Sequence, residues 1–150
     1  MSGALSGLRV LDLSENISGQ FCGRMMADFG ASLTLIEPPS GSVLRNMPPF
    51  DPVADGVGSL LFFHLNLGKE SVVIDRSTAD GEARLLDLVK TADAVIVGKD
   101  CDCDVLSAAN PQCVVTTVSD FGVDGPYAHW RGSEMIFQAL AANRSFDLIH

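Results

Sequence analysis

The sequence predicts an α/β chain built on a Rossmann-like, open, mostly parallel sheet with flanking helices. Short apolar runs recur along the chain, helical periodicities fall between them, and the runs stop at Gly, Pro or a charged residue. Length and composition agree with this. At 150 residues, 47% hydrophobic and 19% charged, the chain is expected to form a single domain over residues 1–150, with a core that needs no disulfides.

The elements follow in order. Leu8-Arg9-Val10-Leu11-Asp12-Leu13, between Gly7 and Ser14, reads as a first buried strand. Residues 19–29 read as a helix, with Phe21, Met25, Met26 and Phe29 as its apolar stripe and Gly30 just past its end. Residues 32–37 form a second strand, stopped by Pro38-Pro39, so a parallel pair with a right-handed crossover is expected. Residues 38–59 hold five of the chain's seven prolines and little periodicity, and read as a long functional loop before the apolar run Leu60-Leu61-Phe62-Phe63. A third strand spans 71–75. A helix spans 79–91, with Ala83, Leu85, Leu86, Leu88 and Val89 inward and Glu82, Arg84, Asp87 and Lys90 outward. A fourth strand covers 94–97, ended by Gly98; one helical turn at 105–109 is closed by Asn110-Pro111; a β-branched fifth strand covers 113–118. Gly122, Gly125 and Pro126 mark a turn, and 133–142 reads as a last helix capped by Ser133.

Charge excludes some functions. A net charge of -9 argues against nucleic acid and against an anionic membrane surface. No apolar run is long enough to span a bilayer, and Met1–Gly7 has no leader character, so the cytoplasm is expected. The four cysteines do not make a disulfide framework. Cys101-Asp102-Cys103 with a distant Cys113 falls short of a zinc set, so no metal is expected and the thiols read as surface groups beside carboxylates. His64 and His129 have no evident nucleophile partner by spacing and read as structural.

In an open parallel sheet, ligands bind beyond the carboxyl ends of the strands, which selects the segments after Leu13, Glu37, Val97 and Val118. Ser18-Gly19 either offers N–H groups to a phosphate or is an ordinary helix start. Glu37 either holds a ribose or is a charged strand end. Glu134 opens the last helix, where the dipole favours a carboxylate.

The order of short motifs says more. Gly7-Leu8-Arg9-Val10-Leu11-Asp12-Leu13 is followed by Ser18-Gly19-Gln20-Phe21-Cys22, Met26-Ala27-Asp28-Phe29-Gly30-Ala31 and Ile36-Glu37-Pro38-Pro39. Asn66-Leu67-Gly68-Lys69-Glu70-Ser71-Val72, Ala92-Asp93-Ala94-Val95, Asn110-Pro111 and Phe121-Gly122-Val123-Asp124-Gly125-Pro126-Tyr127-Ala128 complete the series. Over about residues 5–140 this resembles the class III CoA-transferases, the family that also contains the α-methylacyl-CoA racemases. The tail, 141–150, diverges. The resemblance implies a Rossmann-like domain that binds coenzyme A at the carboxyl edge of its sheet. It implies a homodimer of interlocked chains or a complementing chain, with acyl-CoA and a small carboxylic acid as partners. The implied activity moves CoA from an acyl-CoA donor to a carboxylic acid acceptor through anhydrides on one Asp.

Carried over residue by residue, the resemblance makes Lys69 and Arg45 phosphate contacts, pairs Asn66 with Lys69 in an Asn-x-x-Lys segment, and puts Glu134 at the active-site mouth. Several positions depart from the family. Glu70 stands where an Arg is common, Gly19-Gln20 replaces Gly-Pro, and Val97-Gly98-Lys99 replaces Glu-Asn-Phe. Cys101-Asp102-Cys103-Asp104 replaces an Arg and a Gly, and its acids would repel phosphates. Ser133 replaces the racemase His, which disfavours a racemase relative. The family's nucleophilic Asp lies beyond the matched stretch, and Asp147 lacks its Gly-Asp context. This chain alone is therefore expected to be incomplete or inactive, or a non-catalytic CoA-binding or assembly module.

Overall fold

Five strands set the frame: β1 (Arg9–Asp12), β2 (Ser32–Glu37), β3 (Glu70–Val73), β4 (Ala94–Gly98) and β5 (Val114–Val118). They lie in the order β3-β2-β1-β4-β5, every neighbouring pair parallel. The computed structural model describes residues 3–51 and 58–140, so residues 52–57 of the expected loop and the whole tail 141–150 lie outside it. The described residues fall into two compact units divided after Val118.

From β1 the chain builds outward through β2 to β3, then returns to the other side of β1 for β4 and β5. The reversal opens a crevice between the carboxyl ends of β1 and β4, the topological switch point of such sheets. β4 is buried on both faces, which is why it reads as a continuous apolar run. Val95 and Val97 join Leu85, Val89, Leu106 and Ile74 on one face. Ile96, between them, joins Val10, Leu33 and Ala31 on the other. The two-residue alternation of a strand divides the core into two layers.

The helices show where periodicity misleads. α1 (Ile17–Asp28) starts two residues before expectation, because the Asn16 side chain accepts from Gly19 N and caps it. Gly30, at φ 99, ends the segment as expected. The buried face of α1 is not its apolar stripe. Gly19, Gln20 and Gly23 are buried, whereas Phe21, Met25 and Phe29 are exposed within this unit, and of that stripe Met26 alone packs on the core, beside Ala27. α2 (Leu60–Asn66) continues the apolar run after the loop, which carries a 3-10 helix over Val43–Asn46 and a bridge between Phe50 and Ser59.

α3 (Ala79–Val89) buries Gly81, Leu85 and Val89, a strict four-residue ridge. Ala83, expected inward, is exposed because it sits two positions off that ridge. α4 (Cys103–Ala109) is a full helix rather than one turn, because Asp102 caps it by accepting from the N–H groups of Asp104 and Val105. Asn110 ties its end to α3 by donating to the carbonyls of Val89 and Ala92, each at 3.0 Å.

The second unit has left-handed Gly122 and Gly125, an aromatic cluster of Phe121, Tyr127, Trp130 and Phe137, and α5 (Glu134–Leu140). The expected end of that last helix, 141–142, lies outside the described residues. Among the described residues no helix is long and apolar enough to cross a membrane.

Candidate functional site

A crevice of about 380 Å³ lies at the carboxyl ends of β1, β2, β3 and β4. Leu13 and Glu15 come from the turn after β1, and Glu37, Pro38 and Pro39 from the end of β2. Asp75, Arg76 and Ser77 follow β3, and Gly98, Asp100 and Cys101 follow β4. Three of the four segments expected at a ligand therefore meet here; the fourth, after Val118, opens the second unit. The segment after β3 was not among those expected. Its sequence signal is a polar Asp-Arg-Ser triplet closing a strand directly before Thr78, which caps α3 through Gly81 N. Asp75 shapes that turn by accepting from Ser77 N at 3.0 Å and Ser77 Oγ at 2.6 Å. These bonds hold its carboxyl below the usual range.

Behind the crevice runs a buried polar frame. Asp12, fully buried at the end of β1, accepts from Lys69 Nζ at 2.8 Å and from Ser14 Oγ at 2.6 Å. Lys69 is itself buried to 1% exposure, and its ammonium also donates to the carbonyl of Gln20 at 2.8 Å. Burial pulls the Lys69 pKa below its ordinary value, and Asp12 beside it pushes the other way. α1 crosses this pair so closely that a Cβ on Gly23 would stand 2.7 Å from Asp12 Oδ2 and 2.9 Å from Lys69 Nζ. Gln20 joins the halves of the frame: it donates to Ser14 O and Ser42 Oγ and accepts from Asn66 Nδ2 at 2.6 Å. The Asn66 Oδ1 atom is buried without a partner.

Glu37 anchors the other end. Arg45 holds it with two bonds, Nε to Oε2 at 2.6 Å and Nη2 to Oε1 at 2.7 Å. Ser42 N donates to Oε2, and the Ser71 hydroxyl donates to Oε1. All four acceptor sites of the carboxylate are thus used within the protein. The Arg45 guanidinium, helped by Ser71 and Ser42, lowers the Glu37 pKa to about 2 against the opposing effect of burial. Glu37 is therefore a clamp on the 38–45 loop and has no oxygen left for a ribose.

Arg45, Asn66 and Lys69, the expected phosphate-side residues, line one second cavity of about 330 Å³ with Leu35, Phe62 and Phe63. The structure brings the three together there, not among the residues lining the carboxyl-edge crevice. Arg45 lies 4.0 Å over the Phe62 ring with its side chain 43% exposed, whereas the Lys69 ammonium points inward to Asp12. Glu134 opens α5 in the second unit.

Gly19 N is spent on Asn16 Oδ1, so Ser18-Gly19 is an ordinary helix start. His64 is exposed on α2, where its carbonyl accepts from Arg24, and His129 is exposed in the second unit. Cys101 and Cys103, expected on the surface, are half-buried against the core, and Cys103 Sγ lies 3.2 Å from Thr117 Oγ1. Burial pushes the Cys101 thiol up, with Arg76 working the other way. Among the described residues, no three His, Cys, Asp or Glu side chains gather as a metal set.

A parallel doubly wound sheet with a ligand-sized crevice at its switch point defines an open α/β domain of the class that takes ligands at the carboxyl edge of its sheet. Residues 5–145 match the model of CoA-transferase family III, and the chain belongs to that family. It is 36% identical over 149 residues to a succinate–glutarate CoA-transferase of Agrobacterium fabrum, covering 91% of this chain and 37% of that protein. It is 34% identical over 131 residues to a succinyl-CoA:mesaconate CoA-transferase of Haloarcula hispanica, covering 80% of this chain and 33% of that protein. A solved CAIB/BAIF family protein from Brucella suis superposes with a TM-score of 0.83 at 30% identity, over 93% of this chain and 39% of that one. The chain thus spans 33% to 39% of the length of these relatives.

Proposed function

We propose that this chain is the CoA-handling part of a CoA-transferase, and that the crevice at the carboxyl ends of β1–β4 receives the nucleotide end of acyl-CoA. The observation that carries this reading is the crevice at the switch point of a family III fold, with Arg76 facing it. The complete activity on this reading transfers CoA from an acyl-CoA to a small carboxylic acid in the cytoplasm. A homodimer or a complementing chain supplies the rest of the site. Glu134 is proposed as the acid at the active-site mouth. Of Arg45, Asn66 and Lys69, Arg45 keeps a half-exposed guanidinium that can meet a phosphate, while Asn66 and Lys69 hold the frame behind it.

The acids of the crevice favour a second reading, a module that has weakened its hold on CoA. Glu15, Asp75 and Asp100 line it with one arginine, and like charge repels phosphate. Calorimetric titration of the chain with CoA separates the two. Saturable binding with a steep loss on adding salt supports a phosphate-reading crevice, and an absence of binding favours an assembly role.

A further inference from the structure

Among the described residues lining the carboxyl-edge crevice, Arg76 is the one cation. Glu37 faces the same space, but its charge is already matched by Arg45. A phosphate entering the crevice therefore meets one guanidinium against Glu15, Asp75 and Asp100. Arg76 is not locked in place. Its Nε stands 3.5 Å from Glu82 Oε2, with the two side chains 39% and 35% exposed. Its Nη2 lies 3.6 Å from Cys101 Sγ, a weak acceptor. A long, half-exposed pair of this kind contributes little, whereas a guanidinium can grip phosphate with two charge-assisted bonds.

Resting on the reading that the crevice takes CoA, we propose that Arg76 anchors a phosphate of the nucleotide and that Glu82 competes with the ligand for it. The guanidinium exchanges one partner for the other: free, it leans on Glu82 and Cys101; loaded, it turns to the phosphate. Arg76 lies outside every short motif that marks this chain as a family member. The exchange gives two substitutions opposite signs, which a merely structural role would not do. Loss of Arg76 removes the anchor. Loss of the Glu82 charge frees the anchor without touching the ligand.

The test is calorimetric titration of the 150-residue chain and its variants with CoA and with dephospho-CoA, with melting curves to confirm folding. Arg76→Gln is expected to weaken CoA by about 10- to 100-fold, the scale of a charge-assisted hydrogen bond. Glu82→Gln should tighten it by about 2- to 5-fold, the scale of a surface pair. Arg84→Ala, an exposed cation on α3 outside the crevice lining, should change nothing. A loss confined to CoA assigns the 3′-phosphate, and an equal loss with dephospho-CoA assigns the diphosphate; both support the anchor. CoA binding by Arg76→Gln equal to the parent overturns it, as does weaker binding by Glu82→Gln. If the unaltered chain takes up no CoA, the reading of the crevice fails and the anchor with it.

Discussion

Two regions of the first unit treat charge in opposite ways. On the β2 side, each buried carboxylate has its own cation: Asp12 has Lys69 and Glu37 has Arg45, and serine hydroxyls and backbone N–H groups take the remaining acceptor sites. On the β4 side, Asp100, Asp102 and Asp104 crowd around the start of α4, and among the described residues none has a cation within ion-pair distance. The first arrangement resists solvent and rearrangement, because a buried charge cannot lose its partner cheaply. The second leaves charge in water, where it costs little folding energy yet reaches any ligand in the crevice. Substitutions should accordingly separate stability from binding.

The sharpest break in the comparison is at Lys69. Lys69→Met leaves the Asp12 carboxyl buried without its cation, and should cost about 3–5 kcal/mol of stability by urea denaturation. Adding Asp12→Asn should recover much of that loss. A single variant as stable as the parent would show that the pair does not hold β1 to the Lys69 turn. Because the ammonium is buried to 1%, CoA affinity of the folded fraction should change less than stability does.

Next is the acid limb of the stability curve. Glu37 falls from 4.5 to about 2 on folding, so the unfolded chain binds more protons between those values. The clamp contributes fully above about pH 4.5 and is lost as pH falls toward 2. With Arg45 half exposed, the contribution is on the order of 2–3 kcal/mol after allowance for solvent screening. Glu37→Gln should flatten that part of the pH dependence; an unchanged acid limb would assign the loss to other carboxylates.

A smaller effect tests how tightly α1 sits on the frame. Alanine is the better helix former by about 1 kcal/mol, so Gly23→Ala would stabilise a free helix. Here its Cβ would intrude on both members of the Asp12–Lys69 pair. A net loss of about 1–3 kcal/mol is expected, as for overpacking. A gain in stability would mean that α1 can lift off the pair.

These residues also mark what the sequence made legible. The strands were readable because both faces of β1, β2 and β4 are buried, and burial writes itself as an apolar run. The alternation of runs and helices was enough for the parallel sense of the strands, while their order came from the structure. The frame was not legible, because Asp12, Gln20, Glu37, Ser42, Asn66 and Lys69 are brought together from four segments far apart in the chain. A polar residue whose partner is distant looks like a surface residue. α1 misled for the same reason: its small buried positions, Gly19 and Gly23, carry no hydrophobic signal, whereas the exposed Phe21, Met25 and Phe29 do. Of the site, the edges after β1, β2 and β4 followed from topology. Arg76 was missed because a single cation after a strand has no pattern to announce it.

The least costly change tests the other side of the comparison. Asp102 does two things at once: its carboxylate caps α4 through the N–H groups of Asp104 and Val105, and its charge adds to an edge that faces the proposed nucleotide. Asp102→Ala removes both, and should cost about 1 kcal/mol for the lost cap. Asp102→Ser removes only the charge, since a serine hydroxyl caps about as well as a carboxylate oxygen. If the edge repels phosphate, the serine variant should match the parent in stability while binding CoA slightly more tightly, by about twofold at low salt. That gain should vanish as salt screens an exposed charge. A serine variant that binds CoA no better at low salt would show that the α4 acids lie too far from the phosphates to matter, and would leave Arg76 and the crevice acids as the determinants of that edge.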